Sequence, residues 1–275
     1  YHDGWFYIYW GDPDRGIYRV QSRDPYDDWS APVLVKKAYG NIDPCPLWDD
    51  DGRVYLVHAF ANSRAGVSHV LHLQELTPDG ASVTKNRDII IQGLPDNHTL
   101  EGPKFYKRNG YYYIFAPAGG VAQGWQMVYR AQQPFGPYEG RRVLHQGNTP
   151  VNGPHQGGRV ELDNGEGWFV HFQERQPYGR IVHLQPLRWV DDWPVIGQDN
   201  DGDGTGEPVL QYTKPSLPNY SGVMQTSDEF NGPHHNLAWQ WQANYYKHWF
   251  SMTENPGNLR LYAQYHQSPA SLWMA

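Results

Sequence analysis

Asp43-Pro44-Cys45-Pro46-Leu47-Trp48-Asp49-Asp50-Asp51-Gly52, followed by RVYLVHAF over residues 53–60, is the stretch that decides the fold. An extended segment, an acidic turn closing on glycine, and a run of aromatic and β-branched residues together predict a β-hairpin. The same order returns at Glu101-Gly102-Pro103-Lys104-Phe105-Tyr106-Lys107-Arg108-Asn109-Gly110, followed by YYYIFA over 111–116. Asp43 and Glu101 each stand nine residues ahead of their turn glycine. Two acids in one position of a repeat predict two carboxylates facing one centre.

Four copies of the hairpin are visible, with turns expected at Gly4, Gly52, Gly110 and Gly167 and following runs WFYIYW, RVYLVHAF, YYYIFA and WFVHFQ. A further strand follows each copy (GIYRVQSRD, SHVLHLQEL, WQMVYRAQQ, GRIVHLQPL), and another comes next in three of them (PVLVK, RDIIIQ, RRVLHQ). A period near fifty residues signals a propeller or solenoid, and four short strands per unit make a propeller blade. The fold class is therefore all-β. The 12 Trp, 20 Tyr, 29 Gly and 22 Pro leave no convincing amphipathic helix.

The net charge of −7 argues against a nucleic-acid partner, which requires a basic face. No apolar run reaches membrane-spanning length, and no signal peptide precedes residue 1. Cys45 is the single cysteine, so the chain forms no internal disulfide.

Blade geometry sorts residues by rim. The start of each first strand and the loop between the second and third strands share one mouth of the central channel. The hairpin turns occupy the other. This places Asp43, Glu101 and His155, within Gly153-Pro154-His155-Gln156-Gly157, at one mouth with loops 10–15, 60–66, 117–124 and 173–180. Trp10, Phe60, Trp125 and Arg180 carry or border these loops, a mixture of aromatic platforms and a fixed donor suited to a sugar ring. The alternative for each aromatic is packing between blades. For the acids, a carboxylate turned into a channel costs desolvation unless it is used or paired.

IDPCPLWDDDGRVYL (42–56) and LEGPKFYKRNGYYYIFAPAGG (100–120) resemble the two signature segments of glycoside hydrolase family 43. GPHQGGRVE (153–161) and YGRIVHLQPLRWVDDWPVIG (178–197) resemble that family's last blade, so the likeness covers roughly the first two hundred residues. The resemblance implies a five-bladed β-propeller acting on arabinose- or xylose-containing polysaccharides. It implies that Glu101 is the general acid, that Asp43 tunes its pKa, and that Arg180 contacts the terminal sugar. His155 would support the channel centre, as a candidate neighbour of a bound ion. No cofactor is required.

The family's general base is an aspartate of the first blade, and repeat counting puts it upstream of Tyr1. Asp12-Pro13-Asp14 follows a second strand and is expected to be turn chemistry. The expectation is a fragment without the first blade and the inner strand of the second, inactive alone, from a periplasmic or extracellular protein. The implied reaction is inverting hydrolysis of terminal α-L-arabinofuranosyl or β-D-xylosyl residues, with acid and base about 6.5–9.5 Å apart. The alternatives are a non-catalytic glycan-binding propeller and a sialidase-like propeller, the latter suggested by Ser22-Arg23-Asp24 with Trp29. A kelch-type interaction propeller ranks behind them.

The domain expectation is a partial catalytic propeller over 1–198, a linker over 199–224 and the truncated start of a β-sandwich over 225–275. SDEFNGPHHNLAWQWQANYYKHWFSMTENPGNLRLYA (227–263) resembles the start of the concanavalin-like sandwich often fused behind this propeller. Asp199-Asn200-Asp201-Gly202-Asp203-Gly204 matches the first half of a calcium loop, but Leu210 stands where a bidentate glutamate belongs. A structural Ca2+ there competes with a solvated turn. His69 and His72 are expected on opposite faces of one strand. His234-His235 and the sequons at Asn97 and Asn219 are given no functional weight.

Overall fold

The computed structural model describes residues 1–26, 28–216, 227–234, 239 and 245–263. His235 and the sequon at Asn219 lie outside the described residues. The chain divides into two units, residues 1–215 and 216–275.

The first unit is a set of four propeller blades, one fewer than the five that the resemblance implies. The first blade has three strands, β1 (Phe6–Asp12), β2 (Gly16–Ser22) and β3 (Val33–Lys37), in that spatial order. The second is β4 (Asn41–Trp48), β5 (Val54–Phe60), β6 (Val70–Leu76) and β7 (Val83–Gln92). The third is β8 (Lys104–Arg108), β9 (Tyr111–Ala118), β10 (Trp125–Ala131) and β11 (Glu139–Leu144). The fourth is β12 (His155–Glu161), β13 (Gly167–Glu174), β14 (Arg180–Val190) and β15 (Trp193–Ile196), the last of which sequence reading missed. Every described neighbouring pair in these sheets is antiparallel.

The hairpin turns explain the register. Asn109 and Gly110 both have positive φ (50° and 78°), as a two-residue turn matching strand twist requires. Between β4 and β5, Gly52 at φ 81° closes a longer turn by donating its N–H to the Asp49 carbonyl at 3.1 Å. The fourth turn is built the same way around Gly165, at φ 86° with its N–H on the Leu162 carbonyl at 2.8 Å. Gly165, not Gly167, is therefore the turn glycine. Gly167 lies in β13 opposite Glu161 and Leu187.

The second strands read as continuous apolar runs because both of their faces are covered. Tyr55, Val57 and Ala59 pack with Phe105, Tyr112 and Ile114 of the next blade, whereas Val54 and Leu56 pack with Ile17 and Val35 of the preceding one. On β9, Tyr113 and Phe115 turn to Phe169, Leu187 and Trp193. Each fully buried side chain of this size contributes about 1.5–3 kcal/mol.

The sequence-based absence of helices is corrected at two loops. One-turn helices α1 (Asn62–Ala65) and α2 (Gly120–Gln123) occupy the second-to-third-strand loops of the middle blades. Each follows a glycine or ends on one, which lets the chain reverse within a few residues. His69 also departs from expectation. It precedes β6 at φ 65°, and its Nδ1 accepts the Thr99 N–H at 2.5 Å.

Residues 198–209 fold back on the last two blades. Gln198 bridges Glu207, Gly206 pairs with Leu144, and the Gln185 side chain accepts the Val209 N–H at 2.7 Å. In the second unit, β16 (Phe250–Ser251) pairs with β17 (Arg260–Leu261), and Trp239 Nε1 donates to Asp228 at 2.9 Å. Among the described residues no helix is long and apolar enough to cross a membrane.

Candidate active site

Two first strands are bulged where they carry site residues. In β4, Ile42 pairs with Ala59 and Cys45 with Val57, so Asp43 and Pro44 together face His58. In β12, His155 pairs with Phe172 and Gly158 with Val170, so Gln156 and Gly157 together face His171. Bulges of this kind re-aim a side chain and sharpen local twist. Asp43 and Gln156 both adopt positive φ, at 52° and 48°.

The bulge in β4 turns the Asp43 carboxylate toward the third blade. Its Oδ2 accepts the Gly102 N–H at 3.0 Å, one residue beyond Glu101. The Glu101 N–H is itself held by the Pro117 carbonyl at 3.1 Å. Glu101 Oε1 lies 2.8 Å from His155 Nε2. The carboxyl side chain is 28% exposed and the imidazole 2%, so the acid reaches solvent from a buried support. Asp43, Glu101 and His155 are thus brought together, as repeat counting predicted.

Arg180 joins them through one ring. Its guanidinium sits over Phe172, 4.6 Å from the ring centroid, and Phe172 packs against His155 at 5.6 Å. The three aromatic candidates all have ring partners within the chain. Trp10 stacks on Tyr18 at 5.6 Å, and Phe60 stacks on His72 at 6.2 Å. Trp125 donates Nε1–H to Asn97 Oδ1 at 3.2 Å, meets His98 edge-on, and carries the Arg142 guanidinium at 4.7 Å.

Sequence reading passed over Gln156. Its side-chain amide lies against Gly102, where an added Cβ would come within 2.8–2.9 Å of it. The signal was present, because Gln156 stands nine residues ahead of Gly165, the true turn glycine, as Asp43 does of Gly52. Gly102 combines this close approach with φ 56°, so glycine is demanded twice. Nearby, the partly buried Cys45 thiol accepts the Phe105 N–H at 3.3 Å, and desolvation raises its pKa. A thiol held protonated in this way is a packing group rather than a nucleophile.

His155 Nδ1 is buried with no protein partner, and with Nε2 turned to Glu101 it is the ring nitrogen available to a further ligand. Among the described residues, the one group of three acids or metal-binding side chains close enough to share an ion is Asp199, Asp201 and Asp203. Their carboxylates already accept backbone N–H groups of Gly202, Gly204, Asp203 and Thr205. Desolvation would raise the Asp199 pKa, but the donors from Gly202 and Gly204 outweigh it and hold the group low. Asp12 forms an ordinary turn, its Oδ1 accepting the Asp14 N–H at 2.9 Å, as expected for Asp12-Pro13-Asp14.

Residues 1–194 match the family model described as glycosyl hydrolases family 43. The chain belongs to this family. Residues 227–274 match the β-xylosidase C-terminal concanavalin A-like domain. Among the relatives it resembles, a putative β-xylosidase of Xylanibacter ruminicola is 43% identical over 96% of this chain and 49% of its own length. A non-reducing end α-L-arabinofuranosidase of Bacteroides ovatus is 31% identical over 95% of this chain and 50% of its own. The crystal structure of a xylan β-1,4-xylosidase from Bacillus halodurans C-125 superimposes with a TM-score of 0.80 at 28% identity, covering 95% of this chain and 53% of that one. The chain spans about half the length of the curated relatives it matches.

Proposed function

We propose that this chain carries the proton-donor side of a glycosidase site that releases terminal α-L-arabinofuranosyl or β-D-xylosyl residues from plant cell-wall polysaccharides with inversion. The carrying observation is the gathering of Glu101, His155 and Asp43 through contacts of 2.8 and 3.0 Å. Glu101 is the general acid, partly exposed so that it can reach a leaving-group oxygen. Asp43 is the second carboxylate, held beside the acid by the Gly102 N–H. His155 holds Glu101 from behind. Arg180, steadied over Phe172, offers its N–H groups to sugar hydroxyls. The carboxylate that activates water is assigned to no described residue, and neither is a resident metal.

Both sugars are kept because relatives named for each are similar to this chain. The decisive experiment compares wild type with Glu101→Gln, both in the full-length protein, on aryl xylosides and arabinofuranosides of graded leaving-group ability. Loss of general acid catalysis costs about 10²–10⁴-fold on poor leaving groups and little on good ones. A Gln variant that kept most of its rate on the poorest leaving group would remove Glu101 from this role. Saccharide binding without turnover by the full-length wild type would favour a glycan-binding propeller.

A further inference from the structure

We infer that His58 and His171 are positioning residues set opposite the first-strand bulges: His58 holds the base of the bulge that aims Asp43, and His171 holds the backbone of Phe172, the ring between Arg180 and His155. This rests on the reading of Glu101 and Asp43 given above. Both imidazoles stand six residues after the turn glycine of their blade, opposite the two bulged residues of the first strand. Both are buried, at 0% and 2% exposure. Each points Nδ1 at the carbonyl of the next residue, Ala59 at 3.0 Å and Phe172 at 3.2 Å. A carbonyl only accepts, so the hydrogen is on Nδ1. Each also packs on the histidine paired with it across the third strand, His72 at 5.2 Å and His183 at 5.5 Å.

The third blade supplies the contrast. Its β8 and β9 pair without a register shift, and the residue six places after its turn glycine is Ala116. The imidazole therefore occurs where the bulge occurs. A buried ring with polar edges is costly compared with an apolar side chain of the same size, so its presence calls for a polar task.

That task is visible at each site. His58 Nε2 faces Lys36 Nζ at 2.9 Å, and the Asn41 amide meets the same nitrogen at 2.9 Å. Lys36 Nζ also donates to Gln74 at 2.6 Å. Asn41 lies two residues before Asp43, so the cluster ties β3, β5 and β6 to the base of the bulge that aims Asp43 at Gly102. His171 instead fixes the backbone of Phe172, the ring between Arg180 and His155. Its Nε2 has no protein partner, so only the Nδ1 edge is used.

The test uses Asn and Gln at both positions, because Asn places an amide N–H where Nδ1 stands and Gln places one where Nε2 stands. Amide exchange and histidine 15N spectra are recorded on the intact chain. In His58→Gln the Gly102 amide should exchange about tenfold faster, the worth of a hydrogen bond to a charged acceptor, while the Glu101 amide keeps its rate. His171→Gln should shift the ring signals of His155, and His171→Asn should restore them. In turnover assays of the full-length protein both Gln variants should lower kcat with KM little changed. Folded variants with unaltered Gly102 exchange and His155 signals would overturn the inference, and if His58→Gln fails to fold, the His171 pair decides. Failure of Glu101 as the acid shows separately, as a Glu101→Gln protein that stays active while these spectra still respond.

Discussion

Mild acid should weaken this fold through His58 and His171. Burial, the Lys36 charge and His72 lower the His58 pKa to about 3, against the support of its bond to the Ala59 carbonyl. Burial, with His183 beside it, lowers His171 to about 4. The unfolded chain takes up a proton at each ring below about pH 6.5, whereas the folded chain refuses it until about pH 4 or 3. Stability is thus fully present above pH 6.5 and is lost as pH falls, the loss saturating only once the folded values are passed. At pH 5 each ring lies 1.5 units below its unfolded midpoint, which at 1.36 kcal/mol per unit costs about 2 kcal/mol, or about 4 kcal/mol for both. That is a large fraction of the 5–15 kcal/mol typical of a folded protein. Urea unfolding followed by tryptophan fluorescence at pH 7.5 and pH 5.0 measures it, with His171→Asn expected to remove about half of the difference. A loss below about 1 kcal/mol in wild type, or an undiminished loss in the variant, would refute the reasoning.

Three further outcomes follow from named contacts. Gly102→Ala should cost about 1–3 kcal/mol in a urea titration, since the residue has positive φ and its Cβ would press on the Gln156 amide; Gln156→Ala in the same chain should recover part of the lost stability. Gly157→Ala should be worse for stability, because the new methyl would overlap the Phe169 ring, and a melting temperature within a degree of wild type would contradict this. Lys107→Met should cost about 3–5 kcal/mol in a urea titration at neutral pH. Lys107 pairs with both Asp49 and Asp50, and its removal strands the Asp49 carboxylate, 1% exposed, with only the Tyr112 hydroxyl and the Asp50 N–H.

Much of the fold was legible because blades repeat. Turn glycines, aromatic runs and the nine-residue offset of Asp43 and Glu101 are local patterns, and local patterns survive in a sequence. The misplacement of the fourth turn at Gly167 came from weighting the aromatic run that follows it over the Asn164-Gly165 pair that makes the turn. The correct glycine would have brought Gln156 into the same position as Asp43. β15 was missed because its four residues, Trp193–Ile196, offer too short a pattern to stand out. His58 and His171 sat unremarked inside apolar runs, since nothing in those runs says which residue will face a bulge.

The sequence by itself determined the blade repeat, the family and the two acids, because each is carried by residues near one another along the chain. Only the tertiary structure decided how they act together. Asp43 meets Gly102 across 59 residues and Glu101 meets His155 across 54, and such contacts depend on how adjacent blades pack rather than on any single hairpin. The bulges set the aim of Asp43 and the register of His155, and a bulge is a property of two strands paired, not of either strand read alone.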